Sequence, residues 1–248
     1  SSYEEMRASL RGLLTVQSPA RLPFWFHEQL DRLLSAEAYE RGYTEASDLP
    51  RVSESVPGSS YGAADQCALW RGDITTLRVG AIVNAANKYL LGCFQPFHAC
   101  IDNIIHSAAG PRVRDDCQDI MSLQLCVEGT GQAKITRAYN LPTEYRIHTV
   151  GPIVEGGNRG LGRQQEQQLS DCYRSCLDLS RRISGLRSVA FCCISTGVFG
   201  FPQEPAARIA IETVERWMDE HPGQLDLVVF NVFRHEDLRI YAGLLRGE

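Results

Sequence analysis

No apolar run in this chain approaches the roughly 18–20 residues that a bilayer-spanning helix needs, so a helical membrane anchor has no segment to rest on. The N-terminus, SSYEEMRASL, is polar and acidic and is expected to carry no secretory signal, since the apolar stretch of one is missing. Positive charge is scarce as well: 25 Lys and Arg stand against 30 Asp and Glu, for a net charge of −5. That balance lacks the basic footprint of a duplex nucleic-acid binder but leaves a nucleotide-sized ligand open. There is no internal repeat, no low-complexity segment, no G-x-x-x-x-G-K-[ST] phosphate loop and no G-x-G-x-x-G dinucleotide fingerprint. A regular disulfide framework is absent too. The nine cysteines are odd in number, and several sit in apolar settings such as VAFCCIS and DCYRSCLDL. Such usage reads as reduced thiols, which makes the cytoplasm the expected location. Cys172, Cys176, Cys192 and Cys193 are expected as small core residues.

What is present is an ordinary globular balance, 44% hydrophobic and 22% charged over 248 residues. It allows one large domain with an appendage. The first part reads as the appendage. Met6, Leu10, Leu13 and Leu14 recur at helical spacing, and Pro23 precedes a second helical pattern with Leu30, Leu33 and Leu34 on one face. DLPRVSESVPGSSYGAADQ is rich in Ser, Pro and Gly and reads as a connector rather than a core element. Residues 1–62 are therefore expected to be a helical N-terminal extension with its connector, and 63–248 the principal domain. The aromatics of PFWF and Trp70 are expected in the core or between domains.

Beyond residue 66 the pattern alternates. QCALWRG, AIVNAAN, YRIHTVGPI, SVAFCCIS and LDLVVFNVF read as strands. IDNIIHSAAG, RVRDDCQDIMSLQ, RQQEQQLSDCYRSCLDLSRRI, EPAARIAIETVERWMDEH and EDLRIYAGLLRG read as helices. Such alternation predicts an α/β sheet with helices on both faces. Ligands of such sheets gather at the carboxyl ends of strands. Three segments fall there: GDIT (72–75), NAAN (84–87) and STGVFGFP (195–202). The backbone amides around Ser195, Thr196, Gly197 and Gly200 could form an anion-binding nest, or the stretch could be an ordinary turn.

Residues 92–100, GCFQPFHAC, place two cysteines and a histidine at C-x4-H-x-C spacing. Thiolates and imidazole are zinc's preferred ligands, and three of them with an open fourth position is the catalytic arrangement. The spacing alone leaves that reading open beside a loop with two buried cysteines and a surface histidine. Asp102, two residues on, is either the N-cap of the following helix or a carboxylate poised as a general base. His106 and His148 read as structural.

Taken in order, GDITTLRVGAIVNAAN, IDNIIHSAAGP, TGQAKITRAYNLPTEYRIHTVGPI and ISTGVFGFP closely resemble a macrodomain of the MacroD-type ADP-ribose hydrolases, from about residue 66 to the C-terminus. The glycine-rich run that this type carries after NAAN is replaced here by LLGCFQPFHACID. That replacement and the helical extension resemble the zinc-dependent macrodomains, which remove ADP-ribose from proteins. The resemblance implies a three-layer α/β/α macrodomain with a mixed central sheet, plus the helical extension. It implies Zn2+ on Cys93, His98 and Cys100, and hydrolysis at the distal ribose of a mono-ADP-ribosylated protein, with Asp102 and Asn87 catalytic. Asn87 would bond the distal ribose, while Asn84 would pin the loop. Asp73 would accept from the adenine amino group, with Ile74 giving a backbone contact. Ser195, Thr196, Gly197, Val198, Phe199 and Gly200 would bind the diphosphate, Phe199 covering the distal ribose. Phe233 would stack on adenine or pack in the core. A monomer is expected, with a sirtuin-type ADP-ribosyltransferase system as a partner and no membrane or extended nucleic-acid contact. Two alternatives use the same pocket: an ADP-ribose reader without catalysis, and an O-acetyl-ADP-ribose deacetylase.

Overall fold

A computed structural model of the chain describes residues 2–248. The chain opens with helices α1 (Tyr3–Val16) and α2 (Phe24–Arg41). Ser2 and Glu5 start α1 with a reciprocal capping box, the Ser2 hydroxyl accepting from the Glu5 amide at 3.2 Å and Glu5 Oε2 from the Ser2 amide at 3.0 Å. The side of α1 that faces the protein is more polar than its leucines suggest. Met6 and Leu13 are 56% and 67% exposed. The covered face carries Arg7, Arg11, Leu14 and Thr15, because it meets charge: Arg7 Nη2 donates to Glu37 Oε2 on α2 at 2.9 Å. Phe24 and Trp25, expected as packing residues, are exposed instead, whereas Trp70 does pack against the core.

The Ser-, Pro- and Gly-rich stretch that follows is not a connector. A short strand β1 (Thr44–Glu45) precedes it, and the stretch itself forms a single turn of helix α3 (Val52–Ser55). Leu49, Val52, Val56, Tyr61 and Ala63 are buried in the main core. The next elements are β2 (Cys67–Arg71), β3 (Leu77–Arg78), β4 (Ala81–Ala86), α4 (Ile101–Ala109), α5 (Arg112–Gln124), β5 (Ala133–Arg137) and β6 (Tyr145–Val150). The chain ends with α6 (Arg163–Ser180), β7 (Ser188–Phe191), α7 (Gln203–Glu220), β8 (Leu227–Val232) and α8 (His235–Arg246). β1 pairs parallel to β3, which ties the N-terminal region to the principal domain by backbone hydrogen bonds.

The main sheet has six strands in the order β2-β8-β7-β4-β6-β5. All pairs are parallel except β5 with β6. β4, β6 and β8 are almost wholly buried, as befits strands covered on both faces; β4 and β8 are apolar but for one Asn each, whereas β6 buries Arg146 and His148. Helices flank the mixed sheet, as expected for a macrodomain fold. α6, α7 and α8 pack on one another, while α4 carries α1 and α2 on its outer side.

Chain direction sets the site. From β4 the chain proceeds toward β6 and β5; from β7 it proceeds to β8, on the opposite side. The neighbouring carboxyl ends of β4 and β7 therefore send their chains apart, which opens a crevice at a topological switch point.

Candidate active site at the switch point of the sheet

A cavity of about 540 Å³ occupies this crevice, within the range of small-molecule sites. Three stretches line it: the end of β4 with the following insertion, the loop after β7, and the end of β8 with Gln203 of α7. Asn87, Cys93, His98, Cys100, Asp102 and the run from Ser195 to Phe199 are all brought to it. Asp73 and Ile74 do not line it. Ile74 is buried in the core, and Asp73 Oδ1 caps its own turn by accepting from the Thr75 amide and hydroxyl at 2.9 and 2.7 Å. Asp73 still lies beside the site, since Asn231 in the cavity wall donates to the Gly72 carbonyl at 3.0 Å.

The loop after β7 is built to expose amides. Ser195 adopts a left-handed backbone, φ 66°, and so does Gly200, φ 70°. Hydrogen bonds from Gly200 N to Gly197 O and from Phe201 N to Ser195 O fold the loop back. Val154 N reaches Phe199 O at 2.8 Å from the segment after β6. The amides of Gly197, Val198 and Phe199 find no acceptor among the described residues, and α7 begins just beyond with the positive end of its dipole. Such a nest suits a diphosphate. The buried Ser195 hydroxyl also has no hydrogen-bond partner among the described residues. Gly200 itself is not among the lining residues; its part is to make the turn.

Opposite this loop, Asp102 is the second residue of α4 and 5% exposed. It is not the N-cap. Cys100 holds that position, its Sγ accepting from the Asn103 amide at 3.4 Å. Asp102 Oδ1 instead accepts from Asn84 Nδ2 at 2.8 Å and lies 3.4 Å from His106 Nε2. Burial pushes its carboxyl up to about 6, although the Asn84 hydrogen bond and the charges of Arg146 and Arg114 oppose this. His106 and His148 are buried and structural. Burial, reinforced by Arg146, holds both well below the usual histidine range. Arg146 Nε donates to His148 Nε2 at 3.1 Å, which requires that nitrogen to be unprotonated.

Of the two asparagines of NAAN, it is Asn87 and not Asn84 that pins the loop. Asn84 is fully buried and aims Asp102. Asn87 lines the cavity but also pins the loop, its Nδ2 donating to Gly92 O at 3.0 Å and its Oδ1 accepting from Tyr89 N at 2.9 Å.

Cys93, His98 and Cys100 converge, with all three ligand atoms within 4.8 Å of one another. Cys93 Sγ stands 3.5 Å from His98 Nδ1. Tetrahedral zinc with Zn–S of about 2.3 Å and Zn–N of about 2.0 Å places S and N about 3.5 Å apart, so the donor set fits. Left-handed Leu90, Gly92 and Phe97 shape the loop. Gly92 is required twice over: its φ is 83°, and a Cβ there would fall 2.9 Å from the His106 ring. Asn103 Nδ2 anchors the far side by donating to Gln95 O at 2.7 Å.

At the other end of the cavity Phe233 is 74% exposed, so it is a wall residue and not a core one. Gln203 Nε2 donates to Asp237 Oδ1 at 2.7 Å beside it. Asn231, Arg234, Gln203 and Asp237 were not singled out in the sequence. Their signal was position alone: they end or follow β8 or open α7, at the carboxyl edge of the sheet.

A switch-point crevice with an amide nest on one lip and a buried carboxylate on the other suits a nucleotide-sized ligand. The Macro domain family model matches residues 83–210, and the chain belongs to that family. A protein-ADP-ribose hydrolase of Treponema medium is 44% identical over 98% of this chain and 88% of that protein. Another, of Staphylococcus aureus (strain MSSA476), is 45% identical over 97% of this chain and 85% of that protein. Among solved structures, the Trypanosoma brucei macrodomain in complex with ADP-ribose has a TM-score of 0.70 at 30% identity, covering 99% of this chain and 96% of that one. These matches take in the N-terminal helices as well as the sheet.

Proposed function

We propose that this protein hydrolyses the bond between ADP-ribose and a side chain of a mono-ADP-ribosylated protein, with a zinc ion held by Cys93, His98 and Cys100. The observation that carries this reading is that the buried Asp102 and the Cys-His-Cys group open onto one cavity, facing the amide nest. The names of the bacterial relatives support the same activity.

With the diphosphate on the amides of Gly197, Val198 and Phe199, the distal ribose lies toward Asn87 and Asp102. Phe199 shields it from bulk water. Asp102 is a hydrogen-bond acceptor when ionised and takes the proton of a water attacking the ribose carbon that carries the protein side chain. That carbon's bond to the side chain breaks, and the released group takes up a proton. Asn84 keeps the carboxylate aimed. Bound at the three ligands, zinc would supply a Lewis acid at the same carbon's oxygen substituents. Nucleotide contacts remote from the scissile bond add uniform binding, whereas Asp102 acts where charge develops.

A single assay tests the reading: release of ADP-ribose from a modified protein, with metal content, before and after a strong chelator. One zinc per chain, with turnover lost on chelation and restored by zinc, is the expected result. Full turnover by metal-free protein would refute the zinc-dependent reaction. Binding of ADP-ribose with no release under any metal condition would make the protein a reader.

A further inference from the structure

The loop that bears the three ligands also presents two aromatic rings outward, Phe94 and Phe97, 40% and 58% exposed. Phe97 is met by α1 of the N-terminal extension and Phe94 by α5. Phe97, in the left-handed backbone position just before His98, lays its ring over Gly12 of α1. A Cβ on Gly12 would stand 3.6 Å from Phe97 Cζ. Phe94 receives the guanidinium of Arg114, whose central carbon lies 4.5 Å from the ring centroid.

Arg114 belongs to α5 and is only 6% exposed. Its Nη1 donates to the Leu14 carbonyl at 3.1 Å and also to the Gln17 carbonyl. These carbonyls end α1, which has no basic residue in its own last turn. A cation supplied by another helix therefore satisfies them. One side chain thus joins the end of α1, the body of α5 and the ligand loop. Behind Cys93, where α1 faces α4, a small cavity of about 30 Å³ is lined by Arg7, Arg11, Cys93 and Arg114 among others. Among the described residues, the Cys93–Cys100 loop contributes none to the hydrophobic core. Its seat is set by α1 and Arg114 on one side and by Asn103 on the other.

We propose that helix α1 is part of the metal site: together with Arg114 it fixes the backbone of the Cys93–Cys100 loop, so that the ligand atoms converge before an ion arrives. The inference rests on the zinc reading above. Preorganisation is the reason it matters. A loop free to move must lose backbone entropy when it closes on the ion, and the loss of a partner that orients metal ligands typically weakens metal affinity about 10–100-fold. Arg114 and Gly12 are positioning residues in this scheme, and neither touches the substrate.

The full chain is tested with four variants: R114A, R114K, G12A and G12L. Zinc affinity is read by competition with a chromophoric chelator, the ligand field by the absorbance of bound Co2+, and free ADP-ribose affinity by calorimetry. The wild type is expected to bind one zinc. R114A and G12L should each lose about 10–100-fold in zinc affinity and show an altered Co2+ spectrum, with ADP-ribose affinity held within about threefold. R114K, which keeps the charge but not the planar fork, should fall between R114A and the wild type. G12A should match the wild type, because a methyl 3.6 Å from the ring is an ordinary contact and alanine favours the helix. If R114A does not fold, G12L decides, since it leaves every hydrogen bond of Arg114 in place and strengthens α1. Wild-type zinc affinity in both R114A and G12L would overturn the proposal. A wild type that binds no zinc would overturn the metal reading and this inference with it, and would be seen before any variant is made.

Discussion

A carboxylate that accepts a proton during a reaction has to be dry enough to be basic and held firmly enough to be aimed. Asp102 meets both conditions through different neighbours. Burial raises its carboxyl to about 6, while Asn84, itself fully buried on β4, fixes one oxygen at 2.8 Å. Replacing Asp102 by Asn keeps the shape and an acceptor for Asn84 but removes the base. D102N should therefore lower kcat by about 10²–10⁴-fold, with the affinity for free ADP-ribose changed by less than about threefold. Turnover kinetics and calorimetry on the same preparation check this. A variant whose kcat falls less than about threefold would move the proton transfer to another group.

The loop from Ser195 to Phe201 acts as an element rather than as separate residues, and its seat depends on a glycine outside it. A Cβ on Gly151 would fall 2.0 Å from Ser195 Oγ and 3.0 Å from Ile194 Cγ2. G151A should push the nest off its position and weaken ADP-ribose binding about tenfold, the loss of roughly one charge-assisted hydrogen bond. Adding S195G removes the clashing hydroxyl and tolerates φ 66°, so the double variant should recover most of the affinity in the same titration. No recovery would mean that Gly151 matters for another reason. The loop was legible in the sequence because glycines after a buried strand announce a turn; the dependence on Gly151 was not, because it arises where the segments after β6 and β7 meet past the end of β4. The same division runs through the molecule. β4, β7 and β8 could be read from largely apolar runs, and β6 from its β-branched and aromatic residues ending at Gly-Pro. β5 could not, because an edge strand reading AKITR, only partly buried along most of its length, lacks that signal. Residues 48–66 read as a connector because Ser, Pro and Gly mark turns, while Val52 and Val56 reach the core around a single helical turn that no periodicity can reveal. At the site, the ligand triad was visible from its chemistry. Arg114, Asn84 and Asp237 act only through contacts made across the fold.

At the scale of the whole molecule, the site makes the fold sensitive to pH in two opposing ways. His106 and His148 are held neutral in the native state by burial and by Arg146. In the unfolded chain they take up protons below about 6.5. The unfolded state then binds more protons, so stability falls with decreasing pH below that value, by up to about 2.7 kcal/mol per pH unit for the pair. Asp102 works the other way. Its native value is raised from 3.8 to about 6, so the native state binds the extra proton between those values. The cost of keeping a dry carboxylate ionised, about 3 kcal/mol above pH 6, is relieved as the pH drops toward 4. D102N has no such cost at any pH. In metal-free protein it should be more stable than the wild type at pH 8, by up to about 3 kcal/mol, as expected where a reaction site is strained for its task. The gap should close between pH 6 and pH 4, while the histidine-driven decline remains common to both proteins. Denaturant unfolding of the two across pH 4–8 measures this. A gap that stays constant with pH would show that Asp102 is not held ionised against its surroundings, and its role as the proton acceptor would lose its physical basis.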